Sequence, residues 1–239
     1  MLPAKDLPIF WSFRRCPYAM RARLALRSSG QQVQLREILL RDKPAAFLQT
    51  SPKGTVPVLD LRQCQKHAQY QHQTMDMGLV IEESQQIMTW ALSLHDPQGW
   101  LNIYHQDQPR VEAFFERLDG SFKAHLDRYK YASRYGEDAL IHRQQGGLFL
   151  AKMNDSLAVN GALSGQNLGL LDYASLPFVR QFRSADQTWF DAQDWPHLHR
   201  WLGAFLNGAL FADVMQKFPL WEMHAAADNA APLIFPSHD

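Results

Sequence analysis

Cys16 is the residue with the most chemistry to offer. It precedes Pro17 at the point where a short apolar run, Leu7 to Ser12, turns through Phe13 to Arg15 into a helical repeat of Met20, Ala22, Leu24, Ala25 and Leu26. Proline suits the first position of a helix, which leaves Cys16 as the expected N-cap. A helix start carries unpaired N–H groups and a partial positive charge, and both favour a thiolate over a thiol. Arg14 and Arg15 add positive charge beside it. This is the setting of a reactive cysteine, partly exposed and with a lowered pKa. The alternative is a buried, inert cysteine, the commoner fate of a free thiol. Position 19 is alanine, so no resolving thiol stands one turn away and the site is monothiol. A mixed disulfide formed there needs an outside thiol for its release, and glutathione is the abundant cytoplasmic choice.

The elements that must position this thiol follow from periodicity. Leu7 to Ser12 is expected as a strand, the segment from Pro17 to a stop at Gly30 as a helix, and Val33 to Leu39 as a second strand. Pro44 to Thr50 is expected as a short helix, Ser51 to Gly54 as a loop, and Val56 to Leu59 as a strand interrupted by Pro57. Arg62 to Met77 is polar and rich in Gln and His, which suggests an extended hairpin tip or a mobile loop. Gly78 to Ile81 resumes a strand, and Glu82 to Leu94 enters a helix. Beyond Pro109 the pattern is helical: Val111 to Tyr135, Asp138 to Asn160, Leu168 to Phe182, Trp195 to Leu206 and Ala209 to Phe218. After Trp221 the sequence is rich in Ala and Pro and reads as an irregular arm. Mixed α/β followed by all-α predicts two domains, 1–94 and 109–239, joined by a linker over 95–108.

Composition narrows the function classes. The chain has 239 residues, 46% of them hydrophobic, enough for one large domain or two modest ones. Basic and acidic residues balance at 24 each, with no basic run to follow a phosphate backbone, so nucleic acid is not an expected partner. No apolar stretch reaches the roughly 20 residues that span a bilayer. Met1 to Trp11 is short and carries Asp6, unlike a secretory signal. The two cysteines, Cys16 and Cys64, lie far apart and suggest a reducing cytoplasm rather than a disulfide framework.

Three stretches, in order, give a resemblance. Phe10-Trp11-Ser12-Phe13-Arg14-Arg15-Cys16-Pro17-Tyr18-Ala19, Ser51-Pro52-Lys53-Gly54-Thr55-Val56-Pro57-Val58-Leu59 and Ile81-Glu82-Glu83-Ser84 are similar to the omega-like, cysteine-type glutathione S-transferases. The resemblance implies the glutathione transferase fold: a thioredoxin-like N-terminal domain, an all-helical C-terminal domain, and usually a homodimer. It implies thiol transfer, dehydroascorbate reduction or deglutathionylation through a mixed disulfide on Cys16, with glutathione as co-substrate. Tyr18 would lie near the thiol, and Lys43 would help to bind the tripeptide. Val56, ahead of a cis Pro57, would pair with its cysteinyl part, and Glu83 and Ser84 would take its γ-glutamyl end. A serine at a helix start suits a carboxylate and a glutamate suits an ammonium. Each residue also has a plain structural role open to it: a trans turn proline, a solvated lysine, a first-turn acid, an N-cap serine.

Gly169-Leu170-Leu171-Asp172-Tyr173 is similar to the family's helical capping box, with Asp172 as the acid that closes on the helix start and glycine where Ser or Thr is usual. Phe13, Tyr129 and Trp221 are expected to line an apolar second-substrate pocket, for a small apolar or thiol-adduct acceptor. Cys64, His67 and His72 lack a fourth ligand, so no metal is expected. His197 and His199 read as surface or core-edge residues. The rival functions are a binding or regulatory protein on the same fold without turnover, and conjugation to electrophiles, for which Tyr18 or Ser12 would have to supply a hydroxyl.

Overall fold

The computed structural model describes residues 6–64, 79–222 and 233–236. The chain forms two compact units. One takes the chain up to Pro97 together with the segment from Ala212 onward; the other is Gln98–Phe211. The expected division assigned everything after residue 109 to the helical domain. The structure instead returns the C-terminal segment to the first unit, because that segment hydrogen-bonds to the sheet.

In the first unit, β1 (Ile9–Ser12), α1 (Pro17–Ser29) and β2 (Val33–Glu37) form a parallel β-α-β unit. After α2 (Ala45–Thr50) come β3 (Val58–Asp60) and β4 (Val80–Ile81), which pair antiparallel, and then α3 (Ser84–Leu94). β3 also pairs antiparallel with β1. β1 is central and all four of its residues are buried, which is why it reads as an unbroken apolar run. α1 ends at Gly30 in the left-handed conformation (φ 68°), as its stop signal predicts. Pro57 has no N–H to give a ladder, and β3 accordingly starts one residue later, at Val58. β2 stops at Glu37, two residues short of expectation, because the chain turns over Leu39–Asp42. Of the polar 62–77 stretch, Arg62–Cys64 forms a 3₁₀ turn, and Leu61 N–H reaches Leu79 C=O at 2.7 Å. The tip or loop expected over the rest lies outside the described residues.

The sheet has a fifth strand that periodicity missed. β5 (Ile234–Phe235) pairs antiparallel with the outer edge of β2, giving the order β4-β3-β1-β2-β5. The tail is thus not irregular throughout.

The second unit is helical: α4 (Asn102–Gln106), α5 (Gln108–Arg117), α6 (Lys123–Lys130), α7 (Ala132–Tyr135), α8 (Ala139–Asn160), α9 (Leu170–Arg183), α10 (Gln187–Asp191) and α11 (Pro196–Leu206). α12 (Ala209–Val214) follows across the boundary between the units. The single helix expected over 111–135 is interrupted by a π-helical turn at Leu118–Phe122 and a break at Tyr131. Gly146 and Gly147 do not break α8. A Cβ at Gly146 would come within 2.4 Å of the buried Phe182 ring, so glycine is there to admit an aromatic neighbour.

The capping box at α9 is made in an altered form. Asp172 Oδ2 accepts from Gly169 N at 3.1 Å, closing one half. Glycine has no side chain for the other half, and Ser164 supplies it from outside the helix, its hydroxyl accepting from Leu171 N at 3.1 Å. A Cβ on residue 169 would lie 2.9 Å from that of Ser164, so the glycine makes room for the substitute cap. Asp172, fully buried, also accepts from Leu163 N, Ser164 N and Trp201 Nε1.

Two expectations follow. Asp172→Ala leaves several buried donors without an acceptor and costs roughly 3 kcal/mol or more, read as a lower midpoint of unfolding in urea. Gly146→Ala is also destabilising, although alanine is the better helix former by about 1 kcal/mol, because Phe182 has nowhere to move; thermal melts give the sign.

Candidate active site

Cys16 is the N-cap of α1, with extended backbone angles (φ −76°, ψ 124°) and Pro17 behind it. Its N–H closes a turn onto Phe13 C=O at 2.9 Å, and its C=O starts the helix by accepting from Met20 N at 2.9 Å. The side chain is half-buried, and its Sγ makes no cap bond to the helix. The thiol lies 3.7 Å from the carbonyl oxygen of Val56, to which it donates. The Val56–Pro57 peptide is cis, as the resemblance implies. Residues 40 apart in the chain are therefore brought together: the cysteine at a helix start and the carbonyl just ahead of a proline.

The other expected residues of the first unit fall into two groups. Ser84 is the first residue of α3 and is buried, its hydroxyl accepting from Arg21 Nε at 2.9 Å. Arg21 also lies over the Tyr18 ring, 5.1 Å from its centroid, so Tyr18, Arg21 and Ser84 form one chain of contacts. Glu83, the N-cap of α3, is exposed and pairs with Lys53. Lys43 is exposed, and its Nζ borders Gly54, whose φ of +64° favours glycine. The loop carrying Lys53 and Gly54 thus touches both Lys43 and Glu83. Ser51, fully buried at the start of that loop, donates to Glu82.

Phe13, Cys16 and Trp221 pack around one core cluster that includes Trp11, Ile38, Phe47 and Val56. Trp221 meets Trp11 edge-on at 5.0 Å, and the Arg36 guanidinium lies over both rings. Trp221 also borders a cavity of about 380 Å³ shared with Ile38, Leu39, Asp42, Pro44 and Leu220. Tyr129 belongs to the helical unit, where its ring packs on Phe182 at 5.1 Å and burial raises the pKa of its phenol. Ser12 is fully buried, its hydroxyl accepting from Arg23 Nε at 2.9 Å; burial, rather than that bond, keeps it from serving as a donor for conjugation.

Cys64 has no access to this chemistry. It is fully buried, its thiol donates to Leu61 C=O at 3.0 Å, and burial pushes its pKa up to about 12. The soft-metal grouping that would have used it includes His67 and His72, outside the described residues. Among the described residues no cluster of three or more His, Cys, Asp or Glu side chains could hold a metal ion, and no helix is long and apolar enough to cross a membrane.

The sequence reading missed the charged groups under the Cys16 turn. Glu37, at the end of β2, accepts from the backbone N–H of Arg14 at 2.6 Å through one carboxylate oxygen and pairs with Arg23 through the other. Arg23, on α1, is fully buried. It also donates to Ser12 Oγ at 2.9 Å and to Val214 C=O at 3.2 Å. Burial lowers its pKa, and Glu37 opposes that shift. The available signal was Arg21 and Arg23 standing among the apolar residues of a helix that holds no acid to pair with.

Residues 10–99 match the glutathione S-transferase N-terminal domain. Mouse glutathione S-transferase omega-2 is 42% identical over 55 residues, 23% of this chain and 22% of that protein. Pig glutathione S-transferase omega-1 is 44% identical over 55 residues, 23% of each chain. These matches span under a quarter of the relatives' length. In fold the likeness is longer. A tau-class glutathione S-transferase from mango superposes with a TM-score of 0.67 at 23% identity, covering 90% of this chain and 94% of that one. A glutathione transferase family member from Pseudomonas fluorescens, solved with two glutathione molecules bound, superposes with a TM-score of 0.68 at 15% identity and the same coverage. Residues 10–99 are thus similar to a glutathione S-transferase N-terminal domain, a 55-residue stretch is similar to omega glutathione S-transferases, and the chain has the glutathione transferase fold.

Proposed function

We propose that the protein is a cysteine-type glutathione-dependent thiol transferase or reductase with Cys16 as its nucleophile. The observation that carries this reading is the placement of the Cys16 sulfur, half-buried at a helix start and close to the Val56 backbone ahead of cis Pro57. The Val56 carbonyl accepts from the thiol and favours its neutral form, so the helix start is the feature that favours the anion. A helix start favours the thiolate, the form that attacks sulfur. Cys16 thiolate attacks the glutathionyl sulfur of a mixed disulfide, forms its own disulfide with glutathione, and expels the acceptor thiolate. A second glutathione, as thiolate, attacks that disulfide, leaving as oxidised glutathione and regenerating the Cys16 thiolate. With Cys64 buried, the outside thiol is required for release.

Glutathione would lie along the Val56–Pro57 segment, its cysteinyl backbone pairing with Val56 as an added strand does. Its γ-glutamyl end would meet the N–H groups at the start of α3, at Ser84, and the Glu83 carboxylate. Lys43 would face the glycyl carboxylate. The acceptor site would use Phe13 and the cavity beside Trp221. We place the protein in the cytoplasm as a homodimer. The exposed Ile141 and Leu148, two turns apart on one face of α8, are an apolar surface that a second copy would cover.

A second reading draws on the Lys53–Glu83 pair. It engages the carboxylate assigned to the glutathione ammonium, as in a protein that keeps the fold for binding without turnover.

Mass spectrometry after treatment with oxidised glutathione separates the two. The transferase takes one glutathione adduct on the peptide containing Cys16 and none on that containing Cys64, and Cys16→Ala loses both the adduct and thiol transferase activity. Full activity in Cys16→Ala would refute the mechanism. In steady-state assays Glu83→Gln raises KM for glutathione about tenfold with kcat little changed, as loss of a charge-assisted contact made equally in ground and transition states requires.

A further inference from the structure

We propose that Glu37 is a positioning residue for Cys16, acting through the Arg14 N–H and the buried Arg23. The inference rests on the reading of Cys16 as the reacting thiol.

The turn between β1 and α1 is only four residues, Phe13–Cys16, and its path decides where Sγ stands. It is held at few points. Ile38 N–H bonds Ser12 C=O at 2.9 Å on the strand side, and Cys16 N–H bonds Phe13 C=O at 2.9 Å inside the turn. Between them, the Arg14 N–H is held by Glu37 Oε1. The second oxygen of the same carboxylate takes the guanidinium of Arg23, two turns into the helix that Cys16 caps. One carboxylate thus fixes the turn and the helix to each other. It sits on the parallel neighbour of the strand that leads into the turn.

Glu37 makes a third tie through its backbone, its C=O accepting from Trp221 N at 2.7 Å. The arginines around it continue the pattern. Arg14 Nη1 donates to Met215 C=O at 3.1 Å, Arg23 Nη1 to Val214 C=O, and Arg27 pairs with Asp213 at 2.9 Å. The segment 213–221 is therefore held by the Cys16 turn, by α1 and by Glu37. Trp221, which borders the cavity beside the thiol's core cluster, is placed by the same residue that places the turn. Nothing in this arrangement requires Glu37 to touch substrate.

The test uses two variants. Glu37→Gln keeps the shape but has one acceptor oxygen for two donors. Arg23→Met with Glu37→Leu removes both charges together, which spares the fold an unpaired buried ion, and leaves Arg14 N–H without its acceptor. Alkylation of the Cys16 peptide by iodoacetamide across pH reads the thiol without glutathione, and Cys64 is sealed from the reagent. In folded variants the alkylation midpoint moves up by about one pH unit as the helix start and the sulfur lose alignment, and kcat falls about tenfold with KM for glutathione within about twofold. A role in stability alone would lower the melting temperature and leave the midpoint where it was. Folded variants with the parent midpoint and kcat overturn the inference. So does loss of fold in both variants, since Glu37 would then serve the fold rather than the thiol. A wild-type protein that takes no glutathione adduct, but whose alkylation midpoint still moves on Glu37→Gln, fails the thiol transferase reading and keeps this one.

Discussion

A buried ion pair, Arg23 with Glu37, lies beneath the Cys16 turn of the first unit. Moving two charges out of water is costly, and such a pair persists only where its remaining donors and acceptors are met. Here they are met by the elements that shape the site. Ser12 from β1, the Arg14 amide from the turn, and Val214 from the returning C-terminal segment each bond to one member of the pair. Strand, turn, helix and tail converge on one guanidinium and one carboxylate. An apolar pair of similar size would pack as well, but would give the Arg14 amide no acceptor.

The side of α1 that faces α3 is organised by the same economy of contacts. Arg21 is the companion of Arg23, two residues along the helix. It turns toward α3 to meet Ser84 rather than toward β2. α1 packs against α3, and the two arginines leave that helix in different directions, Arg21 to Ser84 on α3 and Arg23 to Glu37 on β2. The loop with Lys53 and Gly54 is set by Ser51, whose buried hydroxyl reaches Glu82. The Val56 carbonyl near the thiol belongs to the chain just past that loop. The start of α1, residues 51–56 and the start of α3, separated in sequence, therefore meet, held mostly by side chain to side chain bonds, with the Cys16 thiol to Val56 C=O contact added.

Much of this was legible from residue types. Cys16-Pro17 announced a helix start because proline tolerates the first turn and little else in a helix. Gly30 marked the helix end because a left-handed residue is needed there. The order of strands and helices through Leu94 followed from periodicity. What escaped notice had no local signature. Arg23 and Glu37 are far enough apart in sequence that their pairing depends on β2 lying parallel beside β1. Charges in a helix read as solvated until their partner is known. Ser164 replaces a cap from outside its helix, so no spacing rule finds it. β5 is two residues long, too short for alternation to show. The π turn at Leu118–Phe122 lies in a sequence with ordinary helical spacing, and only packing shows the extra residue.

The fifth strand also bears on how the chain is made. β2 is complete by residue 37, yet the strand that covers its outer edge comes about two hundred residues later. Until Ile234 and Phe235 leave the ribosome, that edge presents unpaired N–H and C=O groups, the kind of template on which nascent chains stick to one another. The thiol-bearing half of the protein, though encoded first, is finished last, and a chaperone or a slow translating pause has a defined edge to protect in the interval.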